Sequence, residues 1–181
     1  LQTLEAWDLA YVSEKLQQAR YDFSDQEIKL YFPEDRVLAG MFGLVEKMYG
    51  IHISQVFEAR QVERWNPDVK FFDIHDSSGQ LIGQFYLDLY ARSSKRGGAW
   101  MDEAIVRRRI DNKETGKDDI QIPVAYLTCN FSAPIKVDGQ LRQALFTHNE
   151  VIVLFHEFGH GLHHLLTKVE DLGVSGINGV E

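Results

Sequence analysis

Hydrophobic residues recur with a helical period in the first part of the chain. Over residues 4–19 apolar side chains stand mostly three or four positions apart, which predicts an amphipathic helix, and a short helix is predicted over 21–32. Pro33 suits the first position of a third helix, whose apolar stripe ends near Gly50. The pattern therefore predicts a helical region over residues 1–50.

The pattern changes after Ile51 to segments rich in β-branched and aromatic residues. We predict strands in four such segments: 53–62, 69–76, 81–91 and 120–131. The Asp, Ser and Gly residues of 76–80 are turn formers, so the second and third segments are predicted to form a hairpin. The last segment is largely apolar, which is typical of a central strand. The charged stretch 93–117 is predicted to include a loop around D-N-K-E-T-G-K-D-D, and the sheet region extends over 51–135.

The last predicted element is a helix with a clear start signal. Thr147 and Glu150 form a T-x-x-E capping box, in which each side chain accepts the other residue's backbone N–H. The apolar positions that follow carry the helix to about Lys168, so we place it over about 147–168 and leave 169–181 as a tail. Helices, then strands, then one long helix predict an α+β fold within one partial domain.

His156 and His160 stand four residues apart inside this helix, in the sequence H-E-F-G-H. Side chains at this spacing project from one face, so both imidazoles can reach one ion. Zn²⁺ binds neutral imidazole nitrogen and keeps a position for water in catalytic sites. Glu157 points about 100° away around the axis and can take the proton of that water as it attacks a carbonyl. The residues therefore predict a zinc hydrolase with His156 and His160 as ligands and Glu157 as catalytic base.

Other residues of the helix leave alternatives open. Single histidines on an apolar helix are more often core or surface residues than ligands, but the complete H-E-x-x-H pattern is rare by chance. Gly159 weakens a helix by about 1 kcal/mol relative to alanine, which indicates that backbone, metal or ligand comes close to it. His163 and His164 follow the motif, and we assign them either to support of the metal ligands or to the surface.

A third zinc ligand is not evident from the residues alone. The extended H-E-x-x-H-x-x-G-x-x-H form is absent, because His163 stands in place of its glycine and Leu166 in place of its third histidine. A glutamate from a following helix is the remaining option. The tail offers Glu170, Asp171 and Glu181, and none of them is favoured by its position.

Composition narrows the classes of function. The net charge of −8 argues against nucleic acid as a partner, and the Arg107–Arg109 cluster is expected to be solvated surface. No apolar run is long enough to span a bilayer, so no membrane partner is expected. Cys129 is the only cysteine, which excludes an internal disulfide and fits a reducing compartment, so we expect a cytoplasmic protein.

The two ends of the chain lead us to expect an internal segment of a longer protein. Leu1 enters a helical pattern without a leader, and the sequence stops at Glu181 after a glycine-rich stretch. A lobe without its partner helices would expose apolar faces, so we also expect self-association.

Four stretches of the chain resemble one known family in the same order: A-W-D-L-A-Y-V-S-E-K-L-Q-Q-A-R-Y-D-F-S-D-Q-E-I-K-L-Y-F, F-Y-L-D-L-Y-A-R-S-S-K-R-G-G-A-W-M-D, P-V-A-Y-L-T-C-N-F and F-H-E-F-G-H-G-L-H-H-L-L-T-K-V-E-D-L-G-V-S-G-I-N-G-V-E. They resemble the catalytic lobe of the thimet oligopeptidase family, over essentially all of residues 1–181. The resemblance implies a mainly helical, zincin-type lobe with a small antiparallel-rich sheet beside the H-E-x-x-H helix.

The resemblance also implies a function. It is that of a zinc-dependent endopeptidase that hydrolyses short oligopeptides in a deep channel, with one zinc ion per complete site. His156 and His160 match the zinc ligands of this family, and Glu157 matches its catalytic base. Gly98 and Ala99, in R-G-G-A-W, match a strand edge that binds the substrate backbone, although an ordinary turn is an equal alternative.

The family's third ligand is a glutamate that would fall just beyond Glu181, and its oxyanion donors lie later still. We therefore expect this segment alone to bind zinc weakly and to hydrolyse peptides little or not at all. A zinc hydrolase of another substrate class and a metal-free structural module remain the alternatives.

Overall fold

The structure is a computed structural model, and it describes residues 4–21, 25–57, 62–112 and 117–178. Four α-helices lie in these ranges: α1 (Leu9–Tyr21), α2 (Asp25–Ile28), α3 (Glu34–Tyr49) and α4 (His148–Leu165). Three short 3₁₀ segments accompany them: Ala6–Asp8, Lys29–Tyr31 and Leu172–Val174. No helix in the described ranges has both the length and the apolar character needed to cross a bilayer.

Helix α3 ends where its sequence predicts and begins one residue later than predicted, at Glu34. Pro33 precedes the first turn with an extended backbone, and Gly50 ends the helix at a φ of 65°. Glycine adopts this left-handed conformation at little cost, and its N–H bonds the carbonyl of Glu46 at 2.9 Å. Most of the predicted apolar stripe is buried, including Val37 and Met41, whereas Met48 at its end is 63% exposed.

Nine β-strands are described: β1 (His52–Gln55), β2 (Lys70–His75), β3 (Leu81–Tyr90), β4 (Trp100–Ile105), β5 (Arg108–Asn112), β6 (Lys117–Gln121), β7 (Val124–Phe131), β8 (Ile135–Val137) and β9 (Gln140–Arg142). Five of them form one sheet in the order β1-β2-β3-β7-β4. Strands β3 and β7 run parallel, and the other neighbours in this sheet run antiparallel.

Two strand predictions are confirmed by this sheet. The β2–β3 hairpin turns at Asp76, whose carboxylate accepts the backbone N–H groups of Ser78 at 2.8 Å and Gln80 at 3.0 Å. Strand β7 is central, between β3 and β4, and most of its side chains are buried. It is shorter than the predicted strand over 120–131, because it begins at Val124 and residues 120–121 belong to β6. Strand β4 lies at one edge of the sheet.

Three expectations differ from the structure. Helix accounts for about 36% of the described residues and strand for about 31%, so the fold is α+β but neither mainly helical nor built on a small sheet. The strand predicted over 53–62 is only β1, and residues 58–61 lie outside the described ranges. Charged residues on both sides of 113–116 form the β5–β6 hairpin, whereas 113–116 themselves lie outside the described ranges. Most residues of these two strands are polar or charged, so they lack the alternation of apolar and polar residues by which a strand is recognised.

The core lies between α3, α4 and the five-stranded sheet. Phe85 and Leu127 of the sheet are fully buried, and so is Phe158 of α4. The rings of Phe85 and Phe158 are 5.6 Å apart and tilted, which is a favourable aromatic contact. This packing fixes α4, and therefore the H-E-F-G-H sequence, against β7 and the edge strand β4.

Candidate active site

The predicted capping box at the start of α4 is confirmed. The Thr147 hydroxyl accepts the Glu150 N–H at 3.0 Å, and the Glu150 carboxylate accepts the Thr147 N–H at 2.7 Å. Two N–H groups that a helix end leaves without partners are thereby satisfied. The helix starts at His148, and residues 156–160 lie in its middle.

His156 and His160 turn their Nε2 atoms towards each other. These atoms are 3.1 Å apart, the ring centroids are 4.8 Å apart, and both side chains are exposed. Two imidazole nitrogens bound to one tetrahedral Zn²⁺ at about 2.0–2.1 Å would be about 3.3–3.4 Å apart. The pair therefore fits two positions around one ion after a shift of a few tenths of an ångström.

Glu157 lies beside a cavity that the edge strand and α4 share. The cavity has a volume of about 280 Å³, and its lining residues are Ala99, Trp100, Met101, Glu157, His160, His163 and Ile177. His160 and Glu157 thus line the same cavity as the start of β4. Two larger cavities lie near the end of α4, around Lys168 and Glu170, and contain neither His156 nor His160.

Among the residues that the structure describes, a third protein ligand is not found near the histidine pair. In the described ranges no group of three or more His, Cys, Asp or Glu side chains is arranged to hold a metal ion. Asp171 accepts the N–H of Gly173 at 3.4 Å in the following 3₁₀ segment. Glu181, the remaining candidate of the tail, lies outside the described ranges.

The Glu170 carboxylate forms ion pairs with two arginines. It bonds Arg109 at 2.7 Å and Arg107 at 3.4 Å, and the Glu170 backbone carbonyl accepts the Arg109 N–H at 3.1 Å. The hydrogen bond from Arg109 lowers the pKa of the Glu170 carboxyl, and the nearby arginine charges add to this effect. The expected solvated arginine cluster is therefore partly an ion-pair site that fixes the tail to β5, and Glu170 belongs to that site.

The two histidines after the motif differ completely in environment. His163 is exposed and lines the cavity beside Glu157. His164 is fully buried, and its Nε2 lies 2.9 Å from the carbonyl oxygen of Ile105 at the end of β4. A carbonyl can only accept, so the Nε2 atom of His164 carries the proton. His164 thus ties α4 to the edge strand, and a surface role is excluded for it.

The two glycines of α4 also have different surroundings. A β-carbon added at Gly159 would have no neighbour within 4 Å in the described ranges. A β-carbon at Gly161 would lie 3.1 Å from Cδ2 of the buried Leu127. Gly161 is therefore a position where α4 packs closely against β7, and sequence reasoning did not single it out. The expected close approach at Gly159 stays a prediction.

Gly98 and Ala99 lie where the chain enters β4. Gly98 has a φ of 100°, which side chains rarely permit, and β4 begins two residues later at Trp100. Ala99 is half-buried and lines the cavity with Glu157 and His160. The structure thus brings Ala99 to the candidate site and places Gly98 next to it at a bend of the backbone.

Asp88 is a charged residue of β3 that the sequence did not single out as a candidate. It is buried, and its carboxylate bonds Arg92 at 2.6 and 2.7 Å, Lys95 at 2.9 Å and Trp65 Nε1 at 3.0 Å. Burial alone would raise the pKa of Asp88, but these donors together hold it below its usual value. The signal in the sequence was a carboxylate followed by two cations within seven residues.

Comparison with known proteins identifies the family. The model of peptidase family M3 matches residues 1–180. The chain belongs to peptidase family M3. It is 53% identical to oligopeptidase A of Escherichia coli over 177 residues, which is 98% of this chain and 24% of that protein. It is 40% identical to an organellar oligopeptidase A of Arabidopsis thaliana over 97% of this chain and 21% of that protein.

A more distant relative has a different name. Dipeptidyl carboxypeptidase of Salmonella typhimurium is 35% identical over 97% of this chain and 24% of that protein. The resemblance to the thimet oligopeptidase family, and to its oligopeptidase A members, is confirmed by these matches. The chain spans about a quarter of the length of the curated relatives it matches.

Proposed function

We propose that this chain is part of a zinc-dependent endopeptidase that hydrolyses short oligopeptides. The observation that supports this best is the pair of Nε2 atoms, 3.1 Å apart, on the helix that also carries Glu157. The chain belongs to a peptidase family, and we therefore assign the pair to a zinc site for peptide hydrolysis. The names of the relatives add the preference for oligopeptides.

In this proposal His156 and His160 hold the zinc ion through their Nε2 atoms. Bound zinc would supply a Lewis acid that polarises the scissile carbonyl and makes water easier to deprotonate. Glu157 accepts a proton from the attacking water at a carboxylate oxygen and passes it to the nitrogen of the departing amine. The neighbouring cavity, which the start of β4 borders, accommodates part of the peptide in this proposal.

The edge strand supports a binding mode for the substrate. We propose that the main chain at Gly98 and Ala99 hydrogen-bonds an extended peptide, as an added strand would. Strand β4 has β7 as its one neighbour within the described sheet, and its lead-in residue Ala99 lines the cavity beside Glu157. If Gly98 only forms a turn, a substrate with a methylated backbone amide will bind as well as the parent peptide.

The incomplete ligand set bears on the activity of the 181-residue chain. Two histidines leave a catalytic zinc site one protein ligand short. We propose that the missing ligand comes from a later segment of the full-length protein, and that this chain alone binds zinc weakly and cleaves little. The proposed location is the cytoplasm, in line with the name of a probable cytosolic oligopeptidase A that is 38% identical.

The test uses the full-length protein and a peptide that carries a fluorophore and a quencher and is blocked at both ends. An endopeptidase cleaves this substrate, whereas an enzyme that requires a free carboxyl terminus does not. We expect a zinc content near one per chain and loss of cleavage in a chelator. Glu157→Gln should keep the zinc and lower kcat by about 10²–10⁴-fold, because only the general base is removed.

Matched histidine variants complete the test. His156→Ala should lose both zinc and cleavage, because a ligand is removed. His52→Ala changes an exposed histidine of β1 away from the site and should lose neither. A zinc-containing protein that cleaves no peptide would support a hydrolase of another substrate class. A full-length protein without zinc would support the metal-free structural alternative.

Exposed apolar side chains support self-association of the isolated chain. Trp7 is 78% exposed, Tyr31 76% and Leu30 68% in the helical region. Exposed aromatic and aliphatic groups of this size favour association when they lie close together. We propose that the 181-residue chain forms oligomers, which sedimentation at several concentrations measures. A monomer at all of them would contradict this.

A further inference from the structure

Asn130 is bonded to the segment that leads into the edge strand. Strands β7 and β4 pair Thr128 with Trp100, and two residues further along this antiparallel register Asn130 is opposite Gly98. The side-chain amide of Asn130 donates to the carbonyl oxygen of Gly98 at 2.6 Å and to that of Arg96 at 2.7 Å. Both acceptors are carbonyls, so the group that faces them must be the NH₂ of the amide. Asn130 therefore continues the pairing of the two strands by its side chain, beyond the end of the ladder.

The backbone at Gly97 and Gly98 is intrinsically flexible, so hydrogen bonds are needed to hold it in one conformation. Gly97 and Gly98 are consecutive glycines, and Gly98 has a φ of 100°. Glycine loses more conformational freedom on folding than any other residue, so a glycine pair is ordered only at a high entropic cost. Two hydrogen bonds from one amide, each between neutral groups, offset part of that cost. A looser bend at Gly98 would also move Ala99, which lines the cavity beside Glu157.

The other end of the same loop is fixed independently. Lys95 is nearly buried, and its Nζ donates at 2.9 Å to the Asp88 carboxylate and to the carbonyls of Asp88 and Tyr90. These three bonds use all the hydrogens of the ammonium group. The loop is thus fixed up to Lys95 by the Asp88 cluster and at Arg96 and Gly98 by Asn130. The Asn130 amide thus bonds the residue directly before Ala99, where the chain reaches the cavity.

We propose that Asn130 is a positioning residue for the peptide substrate. By holding the carbonyls of Arg96 and Gly98, it sets the position of Ala99 and of the start of β4 next to Glu157 and His160. In this proposal its effect on the substrate is exerted through the main chain at Gly98 and Ala99. This inference rests on the proposed peptidase function and adds a determinant of substrate affinity to it.

The effect should be on binding more than on chemistry. Main-chain hydrogen bonds from an edge strand hold the substrate in the ground state and in the transition state alike. A loss of such uniform binding raises KM and leaves kcat nearly unchanged. The zinc content should not change, because His156 and His160 lie on α4 and the hydrogen bonds described for Asn130 go to Arg96 and Gly98.

The test compares two changes of amide to carboxylate in the full-length zinc protein. Asn130→Asp has the same shape as the native side chain but removes both donors and sets a negative charge against two carbonyls. The matched control is Gln121→Glu, because Gln121 Nε2 donates to the carbonyl of Val106 at 2.9 Å, just past the other end of β4. Asn130→Ala is a second variant, which removes the donors without adding a charge.

We expect Asn130→Asp and Asn130→Ala to raise KM for the doubly blocked peptide by about tenfold, with kcat within about twofold of wild type. Gln121→Glu should leave both constants unchanged. The proposal is overturned if KM stays constant in both Asn130 variants, if kcat falls instead, or if Gln121→Glu raises KM equally. Wild-type protein without zinc-dependent cleavage would instead refute the proposed function, and the inference with it.

Discussion

The two glycines of α4 allow a test of the described packing, because they are two residues apart in one helix and have opposite surroundings. Among the described residues, a β-carbon added at Gly159 would have no neighbour within 4 Å, whereas one added at Gly161 would lie 3.1 Å from Cδ2 of Leu127. Both lie inside the helix, where alanine is favoured over glycine by about 1 kcal/mol. The substitutions Gly159→Ala and Gly161→Ala therefore share the helical gain and differ only in the contact.

The magnitudes follow from these two terms. Gly159→Ala should stabilise the fold by about 0.5–1 kcal/mol, because nothing opposes the helical gain. At Gly161 the new methyl group must displace a buried leucine in a close-packed core, which typically costs about 1–3 kcal/mol. The net effect of Gly161→Ala is then a destabilisation of about 0–2 kcal/mol, the difference of the two terms.

Urea denaturation of the 181-residue chain, followed by circular dichroism at two protein concentrations, measures both effects. With a slope of about 2 kcal/mol per molar urea, Gly159→Ala should raise the midpoint by about 0.3–0.5 M. Gly161→Ala should leave it unchanged or lower it by up to about 1 M. Equal increases for both variants would refute the reasoning, because they would mean that α4 does not approach Leu127 as described.

Three further predictions concern buried groups. Asp88→Asn should cost on the order of 3 kcal/mol in urea denaturation at pH 7, since Lys95 then loses its counter-charge. Because the folded-state pKa of Asp88 is lowered, its contribution to stability is present above the unfolded value near 3.9 and is lost as the pH falls through the folded one. The difference in the free energy of unfolding between wild type and Asp88→Asn should therefore become smaller as the pH falls. A difference that stays constant down to pH 2 would contradict this. Burial raises the pKa of the Cys129 thiol to about 12, so a thiol reagent at pH 8 should react with Cys129 only in denaturant, and rapid reaction of the native chain would disprove its burial. Gly176→Ala should destabilise by about 1–3 kcal/mol, as measured by the urea midpoint, because the new β-carbon would lie 2.6 Å from His164 Nδ1 at a φ of 63°, and an unchanged midpoint would count against that contact.

The features that could be predicted from the sequence are those fixed by residues close together in the chain. The capping box at Thr147 and Glu150 involves residues three apart, and the turn at Asp76 closes within five residues, so both could be read from the sequence. The central position of β7 followed from its apolar composition, because a strand buried on both faces shows little alternation. These elements form the frame that carries the candidate site.

Contacts between distant residues could not be read in the same way. Asn130 and Gly98 are 32 residues apart, and their pairing depends on the register of β4 against β7. His164 meets the carbonyl of Ile105 across 59 residues, which decides that it is buried although its neighbour His163 is exposed. Glu170 was a candidate ligand from its position in the chain, and only the fold shows that Arg107 and Arg109 occupy it. Side chains of these types have several suitable partners, and tertiary structure selects one.

The same distinction applies to the proposed metal site. Residues four apart on a helix are separated by about 6 Å along the axis and about 40° around it, so His156 and His160 can approach one ion from one side only. A tetrahedral ion needs ligands on its other sides, and these must come from another segment. The H-E-x-x-H helix therefore specifies where zinc would bind and which carboxylate would act on water. Affinity for zinc depends on the segment that closes the site, so the helix can be well formed in this chain while the metal is held weakly.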